Sequence, residues 1–216
     1  MFRGIAQFSM QGRWQAAIAI TLISGAALLL PPFSYLAGGI IALCTLRMGP
    51  KEGVKVVLAA TVIFTLLAGL LLEQLTLSSM FLLSSWLPIL AISLALGYTR
   101  SLAVSLLIAS GLGLILVLGF YIFVEDPTLW WKALLSPLFE SVAGQPGWQL
   151  DQAETKTLLD ETSSMMTGFV AASFSLNAIL GLFIGRFWQA EMVNSGGFGR
   201  EFKQLKLGKA AAMVCS

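Results

Sequence analysis

Five long stretches of this chain contain almost no charged residue, and this constrains the fold more than any other feature. They are Trp14–Leu46, Val54–Leu72, Met80–Tyr98, Leu102–Val124 and Met166–Phe187, with Lys55 and Arg186 the charged residues near their edges. A bilayer core about 30 Å thick is crossed by a helix of about 20 apolar residues. Lipid offers the backbone no hydrogen bonds, so each crossing segment has to be a helix. The sequence predicts an all-α polytopic membrane protein.

The composition agrees with membrane residence. Of the 216 residues, 57% are hydrophobic and 11% are charged. Soluble domains carry about 25% charged residues. Lipid contact therefore replaces much of the core that a soluble protein of this length would build.

The first apolar stretch is too long for one ordinary span, and Pro31 and Pro32 lie in its middle. Proline removes a backbone donor and clashes with the preceding turn, so the pair should end a helix. Two interpretations follow. Either one tilted span precedes a buried loop, or two short helices form a hairpin that returns to the starting side.

The distribution of basic residues favours the hairpin, because Lys and Arg collect in cytoplasmic loops. With the N-terminus inside and a hairpin first, eleven of the 13 basic residues lie on the cytoplasmic side. They are Arg3, Arg13, Arg47, Lys51, Lys55, Arg100, Arg186, Arg200, Lys203, Lys206 and Lys209. Only Lys132 and Lys156 remain outside.

The predicted architecture is a single membrane domain, a six-span helical bundle. The spans are expected at 14–30, 33–46, 54–72, 80–98, 102–124 and 166–187. Residues 125–165 form an extracytoplasmic helical loop, and 188–216 form a basic cytoplasmic tail. The N-terminus and the tail are both expected in the cytoplasm.

The extracytoplasmic loop combines an amphipathic stretch with a second helix start. Trp130 and Trp131 suit the lipid–water interface, as aromatic rings do in membrane proteins. Asp151 precedes Glu154 by three residues, which indicates a capping box, and the helix that begins there should continue into the last span. The loop either packs as a surface element or acts as a lid over an outer cavity.

Several kinds of chemistry are excluded by what the sequence lacks. There is no histidine, no carboxylate within a span, no lysine within a span interior, and no GxxxxGK[ST] phosphate-binding loop. We therefore expect no enzyme activity, no ATPase activity, no metal site and no cofactor. Ion-coupled carriers usually hold ionisable residues within the membrane, so a self-powered transporter is also disfavoured.

Polar residues in the spans are the candidate ligand contacts. Asn177 is an amide within the last span, with Ser173 and Ser175 nearby. It forms either an interhelical hydrogen bond or a ligand contact. The candidate ligand-binding set is Asn177, Ser173 and Tyr35.

Small residues and basic residues give two further candidate surfaces. Ala17, Thr21 and Gly25 are spaced by four in the first helix, a pattern that lets another helix approach closely. They either pack within the bundle or form a docking face for a partner subunit. The tail residues Arg200, Lys203, Lys206 and Lys209 should contact anionic lipid at the membrane surface. The lipid bilayer is the expected partner, and no nucleic acid is expected.

Three features together resemble a known family. They are the proline-broken second segment, the sequence LRMGPKEG at Leu46–Gly53, and GGFGREFKQLKLGK at positions 196–209. The chain resembles the YybS-like family of bacterial membrane proteins, which is in turn similar to the S components of energy-coupling-factor transporters.

The resemblance implies a six-helix protein of the bacterial cytoplasmic (inner) membrane that captures a small solute at the outer side. It also implies docking on a membrane coupling protein with two ATPases, through the face of Ala17, Thr21 and Gly25. Gly49, Pro50 and Gly53 would form the matching cytoplasmic turn. Two functions are therefore expected. One is a small-solute-binding transporter subunit without its own ATPase, and the alternative is a membrane scaffold or assembly factor acting through helix–helix contacts.

Overall fold

A computed structural model describes residues 2–143, 151–193 and 197–203, and within these ranges the chain is helical with no β-strand. The helices are α1 (Phe2–Ser9), α2 (Arg13–Ala27), α3 (Phe33–Met48), α4 (Pro50–Leu72), α5 (Thr76–Phe81), α6 (Leu87–Thr99), α7 (Leu102–Phe123), α8 (Pro127–Ala143), α9 (Gln152–Val193) and α10 (Gly197–Lys203). A short π-helix, Leu82–Trp86, joins α5 to α6. The all-α prediction is confirmed.

Four segments of the described chain are long and apolar enough to cross a membrane. They are Pro50–Leu71, Thr76–Thr99, Leu102–Phe123 and Gln152–Met192. Helices α2 and α3 have 15 and 16 residues, short of the roughly 20 that an ordinary span needs. Pro31 and Pro32 separate α2 from α3, as predicted. The structure supports four spans, and six crossings stay a prediction.

The chain divides into two compact units, which are described separately. Unit one contains the described residues up to Ser110 and those from Phe174 onward, and unit two is Gly111–Ser173. In unit one, α3 is the central helix and packs on α2, α4 and α6, while α1 packs on α2 and α3. The side chains of Ile40–Cys44 are fully buried. A helix that is apolar all round is one that is buried all round.

Glycines allow α3 and α9 to pack at very short range. A Cβ atom added to Gly185 would lie 2.5 Å from the Ala42 Cβ and 2.7 Å from the Gly39 carbonyl oxygen. Gly181 likewise lies against Gly38, with a Cβ on either one 3.3 Å from the other's Cα. Gly181 and Gly185 form a GxxxG pair, the spacing that lets membrane helices approach closely.

The predicted cytoplasmic turn at Gly49, Pro50 and Gly53 is corrected by the structure. Only Gly49 breaks the helix, with a φ of +99° that a glycine adopts without strain. Pro50 is the first residue of α4, where its fixed φ and missing N–H suit a helix start. Gly53 is helical, and a Cβ there would lie 2.9 Å from the Thr45 Cβ. Gly53 therefore serves close packing of α4 on α3.

Pro88 is the second residue of α6, which begins where the π-helical turn Leu82–Trp86 ends. Proline cannot donate to the preceding turn, and a π-helical turn is one way for a helix to rearrange its hydrogen bonds locally. The Ser84 hydroxyl donates to the Met80 carbonyl oxygen at 2.6 Å. Trp86, at the end of the turn, is fully buried and packs edge-on against Phe64 of α4, with ring centroids 5.8 Å apart.

Unit two is built around α8 and the first part of α9. The backbone N–H of Glu154 donates to Asp151 Oδ1 at 2.7 Å, and the N–H of Asp151 donates to Glu154 Oε2 at 3.0 Å. The predicted capping box is confirmed. The Trp131 indole N–H donates to the Thr167 hydroxyl at 2.8 Å, and Lys132 pairs with Asp160. These contacts attach α8 to α9.

The short helix α10 contains the only part of the predicted lipid-binding tail that the structure describes. Phe198 and Phe202 pack on Phe183 of α9, with ring centroids 5.7 and 5.6 Å apart. Lys203 is exposed, and the backbone of Arg200 is helical. Lys206 and Lys209 lie outside the described residues. Aromatic packing onto α9 therefore holds α10 in place.

Candidate functional site

A cleft between α2 and α4 in unit one has a volume of about 410 Å³. Its lining is Thr21, Leu22, Gly25, Leu28, Leu29, Phe64, Leu67, Ala68 and Leu71. Two of the three residues predicted to form a docking face, Thr21 and Gly25, are among them. Leu22 lies within α2, Leu28 and Leu29 follow its last residue, and the aliphatic side chains of α4 come from its last turns.

Close packing at one end and its absence at the other create the cleft. The Thr21 hydroxyl donates to the Ala60 carbonyl oxygen of α4 at 3.4 Å, so the helices touch there. One turn later, a Cβ atom on Gly25 would have no atom within 4 Å. The missing side chain at Gly25 therefore leaves space between two helices that are held together at Thr21.

The cleft is suited to an apolar molecule with one polar group. Its lining residues carry no charge, and Thr21 supplies the single side-chain hydroxyl. That hydroxyl oxygen keeps acceptor capacity while its hydrogen is donated to Ala60. The cleft therefore offers burial and one hydrogen bond.

The three predicted docking residues have different environments. Ala17 is fully buried and Thr21 is 2% exposed, and α2 packs on both α3 and α4. Packing within the bundle, one of the two interpretations of this pattern, accounts for Ala17 and Thr21. Gly25 alone faces open space. Docking of a partner on this face stays a prediction.

Two of the three predicted ligand contacts, Ser173 and Asn177, lie one turn apart on α9, and ligand binding by the set stays a prediction. Asn177 is half-buried in unit one, and its Oδ1 is buried without a hydrogen-bond partner. Tyr35 is half-buried near the start of α3, and Ser173 is exposed and belongs to unit two. The interhelical bond is made by a neighbour, because the Ser175 hydroxyl donates to the Ala109 carbonyl oxygen of α7 at 3.2 Å.

A second cavity, of about 360 Å³, lies at the opposite, predicted cytoplasmic end of unit one. Its lining is Leu46, Leu96, Gly97, Arg100, Arg186 and Gln189. A smaller cavity of about 130 Å³ adjoins it and shares Leu46 and Gly97. We call the larger of the two the basic pocket. It differs from the α2–α4 cleft in containing two guanidinium groups.

A hydrogen-bonded chain orients one of these guanidinium groups. Arg186 Nη1 donates to Gln189 Oε1 at 3.0 Å, and Gln189 Nε2 donates to the Leu46 carbonyl oxygen at 3.3 Å. Arg100 ends α6 in a left-handed conformation, with φ +52°. Sequence reasoning used both arginines only as markers of orientation. Both arginines lie at the ends of apolar stretches, and this was the sequence feature that indicated they could lie close together.

Comparison with protein-family models, curated proteins and solved structures returns no match for this chain. The resemblance to the YybS-like family and to S components stays a prediction. The two cavities and their residues are therefore the structural features that indicate a function.

Proposed function

We propose that this protein is a small-solute-binding subunit of a membrane transport system, and that the α2–α4 cleft is its binding site. The solute is a small, mainly apolar molecule with one group that donates a hydrogen bond to Thr21. The observation that carries the proposal is a cleft of about 410 Å³ lined by aliphatic side chains and a single hydroxyl.

The dimensions and lining of the cleft support solute binding. Small-molecule sites are concave, range from about 300 to 1,000 Å³, and are mostly apolar with a few placed polar groups. The cleft volume lies within that range, and Thr21 is the polar group. Phe64 contributes an aromatic surface held by Trp86 and Phe81, with ring centroids 5.8 and 5.2 Å away.

The position of the cleft also agrees with capture of a solute from the extracytoplasmic side. Leu28 and Leu29 lie at the end of α2, and Leu71 lies in the last turn of α4. In the predicted topology both helix ends face the extracytoplasmic side. A solute arriving there would meet the open end of the cleft before the contact of Thr21 with Ala60.

Transport by such a subunit needs energy from another protein, because the sequence holds no phosphate-binding loop. The expected partner is a membrane coupling protein with ATPases. The alternative is a non-transporting scaffold or assembly factor, which needs no solute.

Gly25→Leu tests the proposal, because it fills the cleft without a clash at the Cβ atom. Gly111→Leu is the matched control, since Gly111 lies within α7 and also has no atom within 4 Å of an added Cβ. Wild type and both variants are purified gently from native membranes. Mass spectrometry then identifies the small molecules and the proteins that co-purify with each.

A non-lipid molecule retained by wild type and Gly111→Leu, and lost from Gly25→Leu, would support the proposal. Recovery of a coupling protein with its ATPases would support the transport role. Equal retention of the molecule by Gly25→Leu would contradict the assignment of the cleft. Recovery of other membrane proteins, with no solute and no ATPase, would favour the scaffold function.

A further inference from the structure

We propose that the basic pocket binds the phosphate group of an anionic phospholipid. This site is separate from the α2–α4 cleft, and its assignment does not depend on solute transport. The inference rests on the charge of the pocket, on the backbone conformation of Arg100, on the positioning of Arg186 and on the apolar space beside them.

The charge of the pocket selects an anion. The lining residues that the structure describes include Arg100 and Arg186, and none of these described residues is a carboxylate. Guanidinium groups present planar N–H donors that match phosphate oxygens, and they keep their charge at any physiological pH. Basic pockets between membrane helices are suited to phospholipid headgroups for this reason.

Arg100 has a backbone conformation that is energetically unfavourable for a residue with a side chain. Its φ is +52°, in the left-handed region that glycine occupies freely and that other residues adopt at a cost. Its N–H closes the helix by donating to the Leu96 carbonyl oxygen at 2.9 Å, a bond that any residue except proline makes. Glycine would be the better residue for the conformation alone, so we infer that the guanidinium has a separate role.

Gln189 positions the Arg186 side chain and is itself hydrogen-bonded to the backbone of α3. Gln189 bridges Arg186 Nη1 and the Leu46 carbonyl oxygen, with distances of 3.0 and 3.3 Å. This bridge fixes the guanidinium relative to the end of α3. A donor held in place before binding loses less conformational entropy when a ligand arrives.

The surroundings favour a lipid over free phosphate. Leu46 and Leu96 form apolar walls of the basic pocket. The adjoining cavity shares Leu46 and Gly97 and adds Leu94 and Tyr98. A phosphate held by the arginines would place the glycerol and upper acyl carbons of a lipid against these side chains. Free phosphate would leave that apolar surface without a ligand.

A structural explanation of the arginines makes a different prediction. Helix C-termini carry partial negative charge, and basic side chains near them are stabilising. If Arg100 only compensated for the C-terminus of α6, its removal would reduce stability and leave lipid binding unchanged. Binding and stability therefore have to be measured on the same variants.

Arg100→Gly separates the two explanations, because glycine relaxes the backbone while it removes the guanidinium. Glu73→Gly is the matched control, since Glu73 ends α4 with φ +54°. The full chain and both variants are placed in phosphatidylcholine nanodiscs with a small fraction of phosphatidylglycerol. Native mass spectrometry measures the bound phosphatidylglycerol, and thermal unfolding measures stability. A parallel titration with inorganic phosphate tests the anion alone.

We expect Arg100→Gly to lose about tenfold or more of its phosphatidylglycerol affinity, with a melting temperature at or above that of wild type. Glu73→Gly should retain wild-type affinity.

Unchanged lipid binding in Arg100→Gly would overturn the proposal. Binding of inorganic phosphate without preference for phosphatidylglycerol would overturn the lipid assignment. Arg100→Asn, which also tolerates this φ, is the second variant, and failure of both to fold would assign Arg100 a structural role.

Discussion

Gly185 of α9 lies directly against Gly39 of α3, so closely that a Cβ atom on Gly185 would be 2.7 Å from the Gly39 carbonyl oxygen. The same Cβ would be 2.8 Å from the Leu43 backbone nitrogen. Backbone atoms cannot move aside as a flexible side chain can. Contact between α3 and α9 in unit one therefore requires glycine at position 185.

We expect Gly185→Ala to destabilise the protein by about 1–3 kcal/mol, as overpacking of a well-packed interior does. Gly111→Ala is the matched control, because an added Cβ there meets no atom within 4 Å. The control should be neutral or should gain up to about 1 kcal/mol from the higher helix propensity of alanine. Thermal unfolding of both variants in the same detergent provides the measurement. Equal stability of the two would show that the glycine contact is not required.

How far the sequence predicted the structure depends on whether a signal was local. Pro31 and Pro32 correctly placed the end of α2 and the start of α3, and Asp151 with Glu154 correctly placed the start of α9. Each acts on backbone groups within a few residues. The pairing of Gly39 with Gly185 joins positions far apart in the chain, and no local pattern specifies which helix meets which.

The candidate sites were harder to predict for the same reason. Thr21 and Gly25 were identified from their spacing, but a cleft requires knowing that α4 touches Thr21 and leaves Gly25 open. Two complete helices, α7 and α8, separate Arg100 from the helix that contains Arg186. Their shared pocket follows from the packing of α3, α6 and α9 in unit one, which hydropathy does not determine.

The hairpin of α2 and α3 can be tested by the labelling of introduced cysteines. Six crossings predict that the turn between these helices faces the outside and that the start of α4 faces the cytoplasm. Both Pro31 and Lys51 are exposed. A membrane-impermeant maleimide added to intact cells should therefore label Pro31→Cys and not Lys51→Cys. In inside-out vesicles the labelling should be reversed.

Wild type is the control for this labelling, because it contains both native cysteines. Cys44 is fully buried, and labelling of wild type measures the signal of Cys215. Labelling of both variants from the same side would contradict the hairpin, because α3 would then not cross the membrane between the two positions. It would favour the alternative in which one tilted span precedes a buried loop.

The attachment of α8 to α9 depends on the hydrogen bond from Trp131 to Thr167. Trp131→Phe keeps an aromatic ring beside Phe120 but removes the N–H donor, and Thr167 is only 4% exposed. We expect a loss of about 1 kcal/mol, the usual net value of such a bond. Faster hydrogen exchange of α8 should accompany the loss. Trp130→Phe is the control, and an equal effect of both variants would assign the loss to ring packing.

Two fully buried serines provide a matched pair for the cost of an unsatisfied hydroxyl. Ser24 in α2 has a buried Oγ with no hydrogen-bond partner, whereas Ser93 in α6 donates to the Ile89 carbonyl oxygen at 2.6 Å. Removing a buried polar group that lacks a partner recovers its desolvation penalty of about 1–3 kcal/mol, and removing a bonded one loses the net value of the bond, about 1 kcal/mol.

We therefore expect Ser24→Ala to raise the melting temperature and Ser93→Ala to leave it unchanged or lower it. Both substitutions remove one oxygen from a fully buried helical position, so cavity formation and helix propensity largely cancel in the comparison. A lower melting temperature for Ser24→Ala than for Ser93→Ala would show that the Ser24 hydroxyl has a partner.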